Sequence, residues 1–258
     1  MLTLNQIKNT YKEASIQKHQ ERMALVEYIQ HELLDSIFKQ KKSTLLSFMG
    51  GTCLRIVYSG NRFSEDLDFD NFGLSFEDFK GLLDDVVKDM KIKGFEIEFR
   101  FTEKQAYHCY IKFPKILQNN SLSPNDREKI LVRIDTIPKE KLSSPDVFLL
   151  KRFDLYRNIY VNSPSIILSQ KLIAILDRKR EKGRDFYDVS FLYGFTEPNF
   201  DFIEKTVSMN KKTILERIIA RCSTLDFKAL AKDVEPFLIQ PDQSARVETF
   251  LEFIKSKV

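Results

Sequence analysis

Between Phe48 and Asp70 the chain reads FMGGTCLRIVYSGNRFSEDLDFD. Two adjacent glycines, Gly50 and Gly51, and a threonine, Thr52, stand near its start. At its end acids and apolar residues alternate: Asp66, Leu67, Asp68, Phe69, Asp70. On a strand successive side chains point to opposite faces, so Asp66 and Asp68 share one face while Leu67 and Phe69 share the other. The apolar face can enter a core. Two carboxylates side by side repel, and a divalent cation offsets that repulsion. Mg2+ prefers carboxylate oxygens together with substrate phosphates. Such a site suits phosphoryl or nucleotidyl transfer, where metal ions stabilise attacking and leaving oxygens. A Gly-Gly turn at a helix entrance lets the backbone approach a phosphate, with the first-turn N–H groups facing the anion. Thr52 and Ser64 add hydroxyl donors. On an edge strand the acid pair alone would read as a solvated acidic face. The combination is more specific: apolar strand, Gly-Gly-Thr, short helix, turn, then a strand alternating apolar residues and acids.

The elements that must position these residues follow from periodicity. Residues 3–40 read as mostly helix, with Ile16, Met23, Val26, Ile29, Leu33 and Ile37 recurring among polar residues. STLLSF is a short strand, TCLRIVY a short helix, SGN a turn and DLDFD a strand. The stretch from Ser75 to Gly94 carries a capping serine and an apolar stripe, Phe79, Leu82, Leu83, Val86, Val87 and Met90, and is a helix. FEIEFRFTEK and AYHCYIKF alternate and predict a hairpin turning near 103–106; ILVRIDTIP is a further strand. After about residue 160 the pattern turns helical, beginning with SPSIILSQKLIAILDRKR and GRDFYDVSFLYGF. The expected organisation is therefore an α+β domain over 1–160, including N-terminal helices over 3–40, followed by a helical bundle over 161–258.

Composition limits the function classes. The chain has 258 residues and a formal net charge of +4, which permits a polyanionic partner without demanding one. Its three cysteines, Cys53, Cys109 and Cys222, are odd in number and widely spaced, which argues against a disulfide framework. With His19, His31 and His108 they form no zinc-ligand spacing. No apolar run has the length of a membrane span, and the polar N-terminal stretch lacks the apolar core of a signal peptide. A cytoplasmic protein with no membrane partner is expected.

The opening stretch resembles the signature of the DNA polymerase β-like nucleotidyltransferase superfamily: a hydrophobic residue, Gly-Gly or Gly-Ser, about a dozen residues, then Asp-hydrophobic-Asp. Here Met49-Gly50-Gly51-Thr52 precedes Asp66-Leu67-Asp68. GGTCLR followed by RFSEDLDF is similar, more narrowly, to the AbiEii/AbiGii-type nucleotidyltransferases, the toxin halves of toxin–antitoxin pairs. Arg55, Arg62, Ser64, Asp66, Leu67, Asp68 and Phe69 stand at matching places. A second element of that family, a helix carrying a lysine and then Arg-Asp-x-x-Asp, is matched by Lys171, Arg184, Asp185 and Asp188 in LSQKLIAILDRKREKGRDFYDV. The resemblance anchors residues 48–70 and 168–189.

The resemblance implies a polymerase β-like fold with a mixed sheet flanked by helices. It implies Mg2+ held by Asp66 and Asp68, with Asp135 on a later strand completing the site and helping to deprotonate the attacking hydroxyl. Gly50, Gly51, Thr52, Arg62 and Ser64 would cradle the nucleotide, with Lys171 and Arg184 neutralising its triphosphate. Asp185 would orient these cations or act on the acceptor; Asp188, three residues on, shares its helix face. The implied substrate is an NTP, the implied acceptor the 3′ end of tRNA, and the implied partner a cognate antitoxin. Other readings stay open. Asp135 also suits a strand end, Lys171 can snorkel to solvent, and the basic run 177–184 can be a solvated helix end or an RNA contact. The aromatics of YHCYIKF fit a core better than a base-stacking platform, and His108 is assigned no catalytic role. A small-molecule nucleotidyltransferase of the antibiotic-modifying kind shares the same parts; a non-catalytic binding protein retaining the fold is the alternative outside enzymes.

Overall fold

A computed structural model of the chain describes residues 1–11 and 16–258. Residues 12–15, inside the stretch expected to be helical, lie outside the described residues. In chain order the elements are α1 (Leu4–Asn9), α2 (Glu21–Phe38), β1 (Leu46–Met49), α3 (Gly50–Ile56), β2 (Leu67–Asn71), α4 (Phe76–Ile92), β3 (Glu98–Glu103), β4 (Tyr107–Phe113), α5 (Ile116–Asn119), β5 (Ile130–Pro138), β6 (Asp146–Leu150) and β7 (Arg157–Val161). Then follow α6 (Pro164–Asp177), α7 (Gly183–Leu192), α8 (Phe200–Val207), α9 (Lys211–Cys222), α10 (Phe227–Val234), α11 (Ala245–Glu248) and α12 (Phe250–Lys255). The chain divides into two compact units. The first comprises Met1–Val57, Phe63–Lys141 and Pro145–Val161; the second comprises Tyr58–Arg62, Leu142–Ser144 and Asn162–Val258.

The first unit is a mixed seven-stranded sheet in the order β3-β4-β5-β2-β1-β7-β6. β1 runs antiparallel to β2 and parallel to β7, and β2 runs parallel to β5. β2 is thus the middle strand, not an edge, and its acids have neighbours on both sides. The predicted hairpin is β3–β4, which pairs Glu103 with Tyr107 at its turn end. Helix α4 is capped by the Ser75 side chain, which accepts from the Asp78 N–H. Its apolar stripe packs on one sheet face, where Phe79 meets Phe101 and Tyr107 at ring distances of 6.2 and 5.9 Å.

Helix α2 differs from the amphipathic helix that its polar residues suggest. Glu27, Gln30, His31, Glu32 and Asp35 are all buried, and Ile16 precedes the helix. Each buried charge is answered: Glu27 by Arg55 and Arg152 at 2.7 and 2.6 Å, Glu32 by Lys93 at 2.9 Å, and Asp35 by Lys93 and Arg157 at 2.8 and 2.9 Å. Paired charges can be buried where lone ones cannot. Strands β6 and β7 escape the sequence pattern, which places helix soon after. Each has five residues. Their turn holds Phe153 and Asp154 at φ of 56° and 63°, a conformation that no glycine announces.

The second unit is helical. Ser163 is the N-cap of α6 and Pro164 its first residue, the helix position that proline tolerates. At the start of α7 a Cβ on Gly183 would lie 1.9 Å from the Leu230 carbonyl oxygen, so only glycine admits this approach of α10. Phe186 on α7 meets Phe250 and Phe227 edge-on at 4.9 and 5.3 Å, forming an aromatic core with the helices behind it. The three cysteines are free and buried. Among the described residues no helix is long and apolar enough to cross a membrane.

Candidate active site

The glycine turn and the acids meet because β1 and β2 pair antiparallel, which sets Met49 opposite Asp68. Gly50, the first residue of α3, has φ +78°. A Cβ there would stand 2.6 Å from Asp68 Oδ2. Glycine is required twice over: for the left-handed backbone and for the room the carboxylate takes. Gly51 and Thr52 follow in the buried first turn of α3. The Thr52 hydroxyl donates to the main-chain carbonyl of Asp66, tying that turn to the strand that carries the acids. Ser64 is half-buried, and its carbonyl accepts from Gln30 Nε2 at 2.9 Å.

The third carboxylate arrives by sheet register. β2 and β5 run parallel with Asp68 beside Asp135. On the same face of β5, two residues earlier, Arg133 reaches both neighbours: Nη2 lies 2.9 Å from Asp66 Oδ2, and Nε lies 2.8 Å from Asp135 Oδ2. Burial works against the charge on Arg133, but Asp66, Asp135 and Asp68 outweigh it and raise its pKa. On the other side of Asp135, His108 Nδ1 is 2.7 Å from Oδ1. The cluster is partly open, with the side chains of Arg133 37%, Asp66 29% and Asp135 13% exposed.

Among the described residues no three His, Cys, Asp or Glu side chains converge as a metal-ligand group. The guanidinium of Arg133 stands between two of the acids and supplies the counter-charge. The donors nevertheless fit a hard divalent cation: three carboxylates reach one sheet face, and Gly50 leaves open the space beside Asp68 that a side chain would fill. The residues that would hold the cation are Asp66, Asp68 and Asp135.

The remaining expected site residues gather in the second unit. Lys171 does not snorkel. Its Nζ is buried, 2.8 Å from Asp185 Oδ1 and 2.8 Å from Asp188 Oδ2. Arg62 is buried as well and forks onto Asp188, with Nε and Nη2 each 2.6 Å from a carboxylate oxygen. Arg178, from the basic run after α6, adds an ion pair to Asp185 Oδ2 at 2.6 Å. Burial opposes the charge on Asp188, yet Arg62 and Lys171 outweigh it and bring its carboxyl down to about 2. Burial likewise opposes Lys171, and Asp185 and Asp188 more than reverse it, raising its pKa. Arg62, expected to hold phosphate, spends its fork on a protein carboxylate. Arg184 is half-buried at the second position of α7.

Sequence reasoning passed over Arg133 and His108. Arg133 was within reach, since alternation in ILVRID puts it on the face of Asp135. His108 was not, because only the β4–β5 register sets it opposite Asp135.

A family model described as nucleotidyl transferase AbiEii toxin, type IV toxin–antitoxin system, matches residues 32–256. Solved structures share the fold. JHP933 from Helicobacter pylori is 18% identical with a TM-score of 0.57, over 92% of this chain and 93% of that one. MenT4, a nucleotidyltransferase toxin from Mycobacterium tuberculosis, is 17% identical with a TM-score of 0.59, over 99% of this chain and 90% of that one. None of the curated proteins compared with the chain matches it.

Proposed function

The chain belongs to the AbiEii family of nucleotidyl transferase toxins, and from that premise we propose that it transfers a nucleoside monophosphate from an NTP to a hydroxyl at the end of an RNA. The 3′ end of tRNA is the acceptor that the resemblance implies. The observation that carries the proposal is the meeting of Gly50 with Asp68, and of Asp68 with Asp135, on one sheet face.

The acceptor hydroxyl oxygen attacks the α-phosphorus of the NTP. A new P–O bond forms, the bond from the α-phosphorus to the bridging oxygen breaks, and pyrophosphate leaves with that electron pair. The hydroxyl proton passes to a carboxylate; Asp135 is the assigned base, oriented by His108 at 2.7 Å. Mg2+ bound by Asp66, Asp68 and Asp135 would supply charge stabilisation to the attacking and leaving oxygens. Gly50, Gly51 and Thr52 let the nucleotide phosphates approach the α3 turn, with Ser64 as a further hydroxyl donor. The resemblance gives Lys171 and Arg184 the charge-neutralising role; within the second unit Lys171 is held protonated by Asp185 and Asp188, and Arg62 positions Asp188. Residues 1–160 would hold the transfer chemistry and 161–258 a helical domain, in a cytoplasmic protein restrained by a cognate antitoxin. The small-molecule alternative calls for an acidic acceptor face that attracts a cationic drug; the exposed cations of β3 and β4 favour a polyanion instead.

The test is label transfer. Purified protein, Mg2+, bulk tRNA and each α-labelled NTP in turn should give labelled RNA. The Asp66→Ala/Asp68→Ala variant should give none. NTP binding without label on any RNA would overturn the acceptor assignment. Failure to bind both NTP and Mg2+ would overturn catalysis.

A further inference from the structure

The strands that bring Asp135 and Arg133 to the site continue outward as an open face. Opposite the face packed by α4, β4 presents His108, Tyr110 and Lys112. The register sets Arg100 against Tyr110 and Tyr110 against Arg133, in one row across three strands. Arg133 extends that row to Asp66 through its ion pair. The next row runs from Thr102 through His108 and Asp135 to Asp68. Arg100 and Lys112 are exposed, and Tyr110 is half-buried. The Arg100 guanidinium lies 4.3 Å from the centre of the Tyr110 ring. Glu98, on the same face, is neutralised by Lys129 at 2.7 Å.

Resting on the nucleotidyltransferase reading above, we propose that this face of β3 and β4 is where the acceptor lies: a single-stranded RNA end. A base stacks beside the Tyr110–Arg100 pair, and its backbone phosphates meet Arg100 and Lys112. Two properties favour that occupant. Cations and an aromatic ring interleave, the combination by which single strands are bound without reading their sequence. Apart from Glu98, which Lys129 pairs, the acids of this face stand at its β5–β2 end, so phosphates are repelled from Asp66, Asp68 and Asp135 and welcomed at Lys112 and Arg100, one and two strands beyond β5, about 5 and 10 Å away at ordinary strand spacing. Only the terminal hydroxyl then reaches the carboxylates. The aromatics of YHCYIKF therefore divide: Tyr107 packs on Phe76 and Phe79 in the core, while Tyr110 serves the open face.

The test compares wild type with Tyr110→Ala, Tyr110→Phe and Arg100→Gln/Lys112→Gln, each first checked for an unchanged melting temperature. The probe is a short single-stranded RNA oligonucleotide with a free 3′ hydroxyl, followed by fluorescence anisotropy over a salt series. NTP binding is followed separately by thermal shift. Tyr110→Ala should weaken RNA binding about tenfold, and Tyr110→Phe should restore it. The double variant should reduce the slope of log affinity against log salt by roughly 1.5, since each phosphate contact contributes about 0.7 on a single strand. NTP affinity should stay within about twofold throughout, a tenfold change being about 1.4 kcal/mol. If wild type labels and binds RNA while the variants do so equally well, this platform is wrong and the nucleotidyltransferase reading stands. If wild type binds NTP but neither binds nor labels RNA, the RNA acceptor falls, and the platform with it.

Discussion

The molecule contains two carboxylate clusters built from similar residues and set in opposite surroundings. In the first unit Asp66 and Asp135 pair with the Arg133 guanidinium on a partly open sheet face that Asp68 shares. In the second, Asp185 and Asp188 meet Lys171, Arg62 and Arg178, and the acids are 2% exposed. The buried cluster is self-sufficient: each acid has two cationic partners in fixed geometry, which is what burial of charge demands. The open cluster differs in that solvent can reach it: the Asp66 side chain is 29% and the Asp135 side chain 13% exposed. The acids of the first cluster are reachable from solvent, while those of the second are enclosed.

The sharpest test of that contrast separates activity from stability. Asp68→Asn should lower transfer on the order of 10⁴-fold, about 5 kcal/mol in activation free energy. It should leave the melting temperature close to that of wild type. A large drop in thermal stability would mean that the first cluster is structural like the second. Asp188→Ala should behave in the opposite sense. It strands the buried Arg62 guanidinium, so unfolding should become easier by about 3–5 kcal/mol, read by urea denaturation. A variant as stable as wild type would show that Arg62 finds another partner.

A smaller effect follows from pH. The Asp188 carboxyl is held at about 2, below its ordinary value near 3.9. The depressed pKa makes its contribution fully present above about pH 5 and progressively lost as pH falls through 2, to a total of about 2.6 kcal/mol. Urea midpoints of wild type and Asp188→Asn should therefore converge over that window; parallel curves would assign the acid sensitivity to another group, such as the buried Glu27. The smallest expected effect belongs to Arg133. If its guanidinium is the stand-in counter-charge of the open cluster, Arg133→Gln should tighten Mn2+ binding about fivefold, about 1 kcal/mol, measured by electron paramagnetic resonance of the free ion. Weaker binding would mean that Arg133 holds the acids in metal-ready positions instead.

Much of the site is legible in local sequence pattern. Asp66 and Asp68 on one face, glycine before a short helix, the capped helix over Phe76–Ile92 and the β3–β4 hairpin all follow from local rules of period and turn chemistry. What escapes those rules is non-local. β6 and β7 are short, and β7 joins the sheet by pairing in parallel with β1. The polar residues of α2 mimic a solvated face because their partners, Arg152 and Arg157, lie more than a hundred positions downstream.

The sequence by itself determined which residues can share a strand or helix face, since spacings of two or three fix that locally. It also placed a Gly-Gly turn at the entrance to a short helix; the left-handed φ of Gly50 and the approach of Asp68 came from the fold. Only the tertiary structure decided what each charge faces. Strand register put His108 and Arg133 on Asp135, and helix packing turned Arg62 and Lys171 inward to Asp188. A charge's neighbours, and hence whether it is spent on the fold or kept for a ligand, are set by chain segments that local pattern does not connect.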